Sequence, residues 1–176
     1  MIDATARREW WKYALVTVPA IVVFGWLMGV VSDSGSGNGW YDALIKPAFQ
    51  PPGWAFGVVW TILYTLMGIA VALILAEPQS SRRQTALILF VVQLALNFAW
   101  SPIFFGGRMI EVGLVTIIVM LLGATAAANL FRRLRPVAGW LLLPYLAWLC
   151  LATALNYETG RLNPGADSAP LGIIGE

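Results

Sequence analysis

Aromatic and amide side chains recur at helical spacing in three apolar segments of this 176-residue chain. Trp60 and Tyr64 are four residues apart, and Asn97 and Trp100 are three apart, so each pair shares one face of a helix. A third stripe, near the end of the chain, consists of Tyr145, Trp148, Ala152 and Leu155. Rigid aromatic rings with a polar edge are suitable walls for a flat, hydrophobic ligand.

The three groups are expected at a similar depth. With a rise of 1.5 Å per residue, Trp60, Asn97 and Trp148 lie about 9, 12 and 13 Å from the same end of their segments. Tryptophans that only anchor helices at a membrane interface do not lie this deep. Two interpretations remain open: the side chains line a ligand pocket, or they fill the bundle and hydrogen-bond one another. Ala152, a small residue among large ones, favours a cavity but also permits close helix contact.

Several chemistries are excluded by composition. The chain contains no histidine and one cysteine, Cys150, so it lacks the usual metal ligand and general base and has no intrachain disulfide. No acid–base pair or nucleophilic constellation is present in the apolar segments, and we expect no metal site and no obligatory cofactor. A net charge of +2 without a basic stripe gives no indication of nucleic-acid binding.

The elements that must position these residues are membrane helices. Hydrophobic residues make up 59% of the chain and charged residues 11%. Five segments reach the roughly 20 apolar residues that a bilayer crossing requires. The predicted fold is therefore an all-α membrane protein, a five-transmembrane-helix bundle in one domain, residues 1–159. The predicted spans are about 10–31, 55–76, 84–105, 110–131 and 136–157.

Two non-helical segments flank or connect these spans. The first loop, 32–54, is long, and its second half contains four aromatic residues and three prolines. We expect this half to form a rigid lid over the helix ends. The other loops are short, so neighbouring helices must be antiparallel. The stretch 160–176 contains proline, glycine and aspartate, and we expect a mobile C-terminal tail.

The basic residues predict an orientation. Eight of the eleven Lys and Arg residues lie on the side of the N-terminus and of the second and fourth connections. Positively charged loops remain in the cytoplasm. We therefore expect a multi-pass protein of a bacterial cell membrane with a cytoplasmic N-terminus and with the lid on the opposite side.

Three stretches resemble the signature of the TspO/MBR family, which comprises the tryptophan-rich sensory proteins and the translocator protein, or peripheral benzodiazepine receptor. The first contains Trp40-Tyr41, Lys46-Pro47, Pro51-Pro52-Gly53-Trp54, Trp60 and Leu63-Tyr64. The second runs from Gln93 through Asn97, Trp100 and Phe104 to Gly106, and the third contains Pro144-Tyr145, Trp148 and Leu155-Asn156-Tyr157. The resemblance covers roughly residues 40–163 and implies five transmembrane helices.

The resemblance also implies ligands. It implies a receptor or transport-type protein that binds porphyrins, notably protoporphyrin IX, with a role in tetrapyrrole regulation or stress signalling. Cholesterol and benzodiazepine- or isoquinoline-type compounds are further implied ligands, and a homodimer is the implied assembly. The expected pocket residues are Trp60, Asn97, Trp100, Trp148, Ala152 and Leu155, with Tyr41, Pro52 and Trp54 from the lid. Tyr64 and Tyr145 join them by helical spacing. The cholesterol-recognition pattern is matched by Leu155, Tyr157 and Arg161.

The chain departs from the family pattern at three positions. Phe49 and Phe98 stand where tryptophan is frequent, and Val112 replaces the tryptophan of the animal proteins. Phenylalanine still stacks but lacks the indole N–H donor, so these positions bear on ligand preference. The propionates of a porphyrin would reach basic groups at the lid rim, namely Lys46, Arg108 or Arg161. The absence of histidine favours a metal-free porphyrin over haem.

Two other functional classes are considered. Some family members are linked to light- and oxygen-dependent degradation of protoporphyrin IX, for which Trp60, Tyr64 and Trp148 would be the candidate catalytic residues. Such an enzyme would take its chemistry from the porphyrin, light and oxygen. A channel or secondary transporter ranks last, because the spans contain almost no ionisable residues and no inverted repeat is evident.

Overall fold

Five helical segments of the structure, a computed structural model that describes residues 9–174, are long and apolar enough to cross a bilayer. The predicted five-helix membrane bundle is confirmed, and residues 9–174 contain no β-strand. The α-helices are α1 Trp10–Val31, α2 Gly39–Ala43, α3 Gly53–Leu75, α4 Ser81–Ser101, α5 Ile110–Leu134, α6 Pro136–Trp140 and α7 Leu143–Leu162. Helix α2 belongs to the first loop, and α6 and α7 together form the fifth span.

Local sequence signals explain where the helices begin and end. The Ser80 side chain accepts a hydrogen bond of 3.2 Å from the Arg83 backbone N–H and caps α4. The guanidinium of Arg83 in turn donates to the carbonyls of Ile74 and Leu75 at the C-terminal end of α3. Beyond Ser101 the third span continues as a π-helical turn, Pro102–Gly106.

Helix α1 packs along α3 at a point where no side chain separates the backbones. A Cβ atom on Gly68 would lie 2.7 Å from the Cα of Val18, and the Thr17 hydroxyl donates to the Gly68 carbonyl at 2.7 Å. The Gly68 and Ala72 pair of small residues therefore serves contact within the chain.

Helix α5 lies between α4 and α7 and packs on both. Its small residues Ala124, Ala127 and Ala128 are buried within the bundle, and a Cβ atom on Gly123 would contact Gln93 of α4. By contrast, the backbones of α3 and α7 approach each other at few points. We call this boundary the α3/α7 seam; side chains bridge it.

The two ends of the bundle differ in charge. The arginine-rich end carries Arg82 and Arg83, Arg132 and Arg133, and Arg135, while Arg7 and Arg8 lie outside the described residues. The lid end carries α2, whose N-terminus is capped by the Asn38 side chain, and five of the seven carboxylates among residues 9–174.

The C-terminal residues follow a defined path. Helix α7 runs five residues beyond the expected end of the fifth span at Tyr157. The segment expected to be a mobile tail then lies against the lid and the start of α5 as far as residue 174, through hydrogen bonds described below. Gly175 and Glu176 lie outside the described residues.

Candidate ligand-binding site

A hydrogen-bonded chain of four buried side chains crosses the centre of the bundle. The Tyr64 hydroxyl donates to Asn97 Oδ1 at 2.9 Å, and Asn97 Nδ2 donates to the Tyr145 oxygen at 3.1 Å. The Tyr145 hydroxyl donates to Gln93 Oε1 at 2.8 Å. We call this the polar chain. It links α3, α4 and α7, and because each group is nearly or fully buried, its bonds have no competition from water.

Four aromatic rings form a layer next to the polar chain. The Trp60 ring lies 5.0 Å from Tyr64, 6.3 Å from Tyr145 and 6.3 Å from Trp148, measured between ring centroids. Phe56 extends the contacts at 5.6 Å from Trp148. We call Trp60, Tyr64, Tyr145 and Trp148 the aromatic layer. Trp60 and Trp148 are only partly buried, whereas Tyr145 is fully buried, so the two indoles form the accessible side of the layer.

Room for the Tyr64 ring is provided by a residue that the sequence analysis did not identify. A Cβ atom on Gly25 of α1 would lie 2.1 Å from the Tyr64 ring carbon Cε2. Gly25 therefore allows the ring to lie directly on the α1 backbone. Phe98 packs on the same ring at 6.0 Å and also contacts Phe24 at 4.9 Å.

A second aromatic group joins the lid to the end of the third span. The Trp100 ring stacks on Phe104 at 4.8 Å with the planes inclined by 16°. Tyr41 of the lid lies 5.1 Å from Phe105, and Trp40 lies 5.5 Å from Phe104. We call these five residues the lid cluster. Trp100 and Tyr41 thus lie in this cluster, separate from the ring contacts of the aromatic layer.

Three buried polar atoms in the described residues have no hydrogen-bond partner at the boundary of the lid cluster: Trp100 Nε1 and both amide atoms of Asn156. Two of these atoms, Trp100 Nε1 and Asn156 Nδ2, lie near Gly113 of α5. A Cβ atom at this glycine would lie 3.4 Å from Trp100 Nε1 and 3.5 Å from Asn156 Nδ2. Buried polar groups are nearly always paired in proteins, so these three atoms are suited to hydrogen-bonding a bound polar group.

The remaining expected pocket residues are dispersed. Trp54 is 74% exposed and lines a shallow groove of about 440 Å³ with Trp26 on the outer face of α1 and α3. Pro52 is also exposed. Leu155 is buried, and Ala152 is partly buried against the main core. The structure thus brings together Trp60, Tyr64, Asn97, Tyr145 and Trp148, but not Trp54.

The residues of the cholesterol pattern do not share one environment. Leu155 is buried, whereas Tyr157 is 47% exposed. Arg161 pairs with Glu158 at 2.6 Å on the surface of α7. The three residues of the pattern therefore differ in exposure and in their partners.

The basic groups of the lid rim differ in availability. The Lys46 ammonium donates to the carbonyls of Tyr41 and Leu44 and lies 4.1 Å from the centre of the Tyr41 ring. Burial lowers the pKa of this ammonium below its ordinary value, although Asp42 opposes the shift. Arg108 is exposed and borders a second surface cavity, of about 390 Å³, together with Asp167. In the described part of the chain no three Cys, Asp or Glu side chains converge as a metal site.

Comparison with known proteins gives a consistent result. Residues 16–162 match the TspO/MBR family. The chain is 43% identical over 124 residues to the tryptophan-rich sensory protein of Cereibacter sphaeroides, covering 70% of this chain and 77% of that protein. It is 41% identical over 133 residues to the human translocator protein, covering 74% of this chain and 79% of that protein. It is also 37% identical over 149 residues to the protein TspO of Archaeoglobus fulgidus, covering 85% of this chain and 95% of that protein. With its five spans and this match over most of its length, the chain is a multi-pass integral membrane protein and belongs to the TspO/MBR family.

Proposed function

We propose that this protein binds a flat, hydrophobic tetrapyrrole, with protoporphyrin IX as the expected ligand, at the aromatic layer beneath the lid. The observation that carries the proposal is the pair of partly accessible indoles, Trp60 and Trp148, that face each other across the α3/α7 seam beside the buried polar chain. Indole faces stack well on a planar macrocycle. The polar chain holds Tyr64 and Tyr145 in fixed positions as the floor of the layer.

The seam is the place where a planar ligand would be accommodated. In the structure the two indoles contact each other edge to face, so a ligand can lie between them only after one ring has turned away. Since α3 and α7 make few backbone contacts, little main-chain packing between these two helices opposes the rotation of an indole. Without ligand, the two indole rings fill the site. The ligand can bind only when one ring has turned away, so the apparent affinity depends on how often the site is in this open state.

Polar groups of the ligand would have three partners in this arrangement. Trp100 Nε1 and the Asn156 amide offer unpaired donors and an acceptor near the lid. Arg108 is exposed, whereas the Lys46 ammonium donates to lid carbonyls and the exposed Arg161 pairs with Glu158. We therefore assign a porphyrin propionate to Arg108. Cholesterol and benzodiazepine- or isoquinoline-type compounds are the competing ligand classes.

A parallel titration tests the proposal. Purified protein in lipid nanodiscs is titrated with protoporphyrin IX, haem and cholesterol, and quenching of tryptophan fluorescence is recorded for the two tetrapyrroles. Cholesterol does not quench, so it is added as a competitor against bound protoporphyrin IX. The proposal expects saturable quenching by protoporphyrin IX at lower concentration than by haem. Equal, non-saturating quenching by both tetrapyrroles would indicate partitioning into the lipid and would contradict it.

A second function, porphyrin degradation in light and oxygen, is favoured by two ring contacts of Trp60. Trp60 lies 5.0 Å from Tyr64 and 6.3 Å from Trp148, so three oxidisable rings are continuous beside the proposed ligand. Illumination of the complex in air, with the porphyrin absorbance followed over time, distinguishes the two functions. The two proteins are compared at equal porphyrin occupancy. If the porphyrin absorbance band is lost faster in wild type than in Trp148→Phe, the result supports enzymatic degradation. Equal loss in both proteins supports the binding module.

We further propose a bacterial cell membrane as the location, a cytoplasmic arginine-rich end, and a homodimer with a role in tetrapyrrole regulation or stress signalling. The charge difference between the two ends supports the orientation. The small residues of α5 are used within the chain, so a dimer would require another surface. Cysteine labelling at Ser81 and Ser36 from each side of the membrane tests the orientation, in a Cys150→Ala background. Mass measurement of the protein in nanodiscs tests the dimer.

A further inference from the structure

A buried carboxylate at the start of α5 is held by backbone groups from the end of the chain. Glu111 is 5% exposed, and no Lys or Arg among residues 9–174 forms an ion pair with it. Its oxygens accept hydrogen bonds from the backbone N–H groups of Leu171, Ile173 at 3.2 Å and Ile174 at 2.9 Å. Bonds from N–H donors to a carboxylate are stronger than neutral ones, so Glu111 is a specific anchor for this backbone.

A second carboxylate, supplied by the C-terminal segment, accepts a hydrogen bond from the backbone of α5. Asp167 Oδ2 accepts the Glu111 backbone N–H at 2.7 Å, and its other oxygen accepts the N–H of Ala169 at 2.9 Å. The N–H of Ser168 donates to the Arg108 carbonyl at 3.0 Å. Negative charge is favourable at a helix N-terminus, so the N-terminus of α5 stabilises the charged carboxylates of Glu111 and Asp167.

The last described residue is inserted between two helices. Ile174 is buried and packs with Phe104, Ile110 and Leu114. A Cβ atom on Gly160 of α7 would lie 2.4 Å from Ile174 Cδ1, so this glycine provides the space for the isoleucine side chain. An apolar side chain in a fitted space adds specificity to the hydrogen bonds at Glu111.

The same segment holds the lid. The Trp40 indole N–H donates to the Ala166 carbonyl at 3.2 Å. The side chain of Asn163 accepts the Ile45 N–H at 2.7 Å and donates to the Ile45 carbonyl at 2.9 Å, so it pairs with the lid backbone as a neighbouring strand would. Trp40 and Phe104 belong to the lid cluster, which therefore contacts residues 163–174 at both Ala166 and Ile174.

From these contacts we propose that residues 163–174 form a strap that locks the lid closed, and that Glu111 is the positioning residue that keeps the strap in place. Release of the strap from Glu111 frees Ala166 and Asn163 from the lid and opens the lid end of the bundle. The coupling of strap and lid is independent of any ligand. Its consequence for ligand exchange rests on the proposed tetrapyrrole site.

Hydrogen exchange followed by mass spectrometry tests the coupling in full-length protein in nanodiscs. In wild type, amides 171–174 are expected to be protected. Glu111→Gln keeps the shape of the side chain but replaces one acceptor oxygen by a donor, and we expect exchange to accelerate about tenfold or more in both 163–174 and the lid, 39–50. The control Glu158→Gln removes the same charge at the same end without touching the strap, and is expected to leave both segments unchanged.

Two outcomes of this experiment overturn the proposal. Exchange of 163–174 at the rate of an unstructured peptide in wild type would mean that the strap is not attached. Acceleration in the strap without acceleration in the lid would mean that the strap does not hold the lid. If Glu111→Gln does not fold, Gly160→Leu provides the same test, because its side chain displaces Ile174 and leaves the carboxylate intact.

Ligand kinetics provide the second readout. If the lid end admits the ligand, Glu111→Gln is expected to raise the association and dissociation rates of protoporphyrin IX by a similar factor, so that the equilibrium affinity changes little. A purely structural role would lower affinity without this paired change. Glu9→Gln, which removes a carboxylate at the other end, is the control. No protoporphyrin binding by wild type would contradict the proposed function, while the exchange result would still decide the strap.

Discussion

Trp60 and Trp148 meet edge to face across the α3/α7 seam, with ring centroids 6.3 Å apart and planes inclined by 82°. The contact bridges a boundary at which the two helix backbones approach each other at few points. Directly beside it, Tyr64 and Tyr145 are fixed by hydrogen bonds to the amide of Asn97. Partly accessible indoles therefore lie against a buried, hydrogen-bonded floor. In the proposed site, the indoles would contact the ligand, while the two tyrosines would maintain the fold.

The polar chain is expected to stabilise the bundle. In Tyr145→Phe the oxygen is lost, which leaves Gln93 Oε1 without its donor and Asn97 Nδ2 without its acceptor. We expect a loss of about 2–4 kcal/mol in stability, since each unpaired buried group costs about 1–3 kcal/mol. Thermal unfolding in detergent measures the effect. The control Tyr157→Phe removes an exposed hydroxyl on the same helix and should leave the midpoint unchanged; equal midpoints for both variants would contradict the prediction.

Gly25 is expected to be essential for the position of Tyr64. The added Cβ of Gly25→Ala would overlap the Tyr64 ring, so α1 must shift or the ring must turn and lose its bond to Asn97. We expect destabilisation of about 1–3 kcal/mol from this overpacking. Gly29→Ala is the matched control on the same helix, because its Cβ would meet only the Ser34 hydroxyl at 4.0 Å. Replacement of a helical glycine without a clash gains up to about 1 kcal/mol, so the two variants should shift the unfolding midpoint in opposite directions.

Asn163 is expected to hold the lid backbone in place and so to protect it from proteolysis. Its side chain makes two bonds to Ile45 and donates a third, of 2.7 Å, to the Thr159 carbonyl. Asn163→Ala removes all three, and we expect faster proteolysis within residues 44–50 because the lid backbone loses its partner. Asn129→Ala, at an exposed site near the arginine-rich end, is the control. Unchanged cleavage in Asn163→Ala would show that other contacts suffice to hold the lid.

The sequence predicts the positions of the helices better than it predicts which side chains face the interior of the bundle. Five long apolar runs are sufficient to identify five spans, because a continuous run of about 20 apolar residues can cross the bilayer as a helix that satisfies its own backbone hydrogen bonds. The family resemblance implies that Trp54 contributes to the pocket from the lid, but in the structure Trp54 belongs to the first turn of α3. Six residues of helix correspond to about 600°, so the two indoles point about 120° apart, and only Trp60 faces the bundle.

The contacts that the sequence did not reveal connect distant positions. Gln93 belongs to one of the stretches that resemble the family signature, but only the structure shows that its side-chain oxygen accepts a hydrogen bond from Tyr145. The residues after Leu162 have no apolar periodicity, which is typical of a mobile tail. Their partner, Glu111, lies more than fifty residues earlier in the chain, and no local pattern signals the pairing.

The indoles at the α3/α7 seam are proposed to bind the ligand. One pair of variants tests this proposal most directly. Trp148→Ala removes one wall of the aromatic layer, while Trp140→Ala removes an exposed indole near the arginine-rich end. Protoporphyrin IX affinity is measured in nanodiscs by the change in porphyrin absorbance. We predict affinity about tenfold weaker or more for Trp148→Ala, since the loss of one stacked ring costs at least about 1.4 kcal/mol, and wild-type affinity for Trp140→Ala. Equal affinities for wild type and both variants would contradict the account.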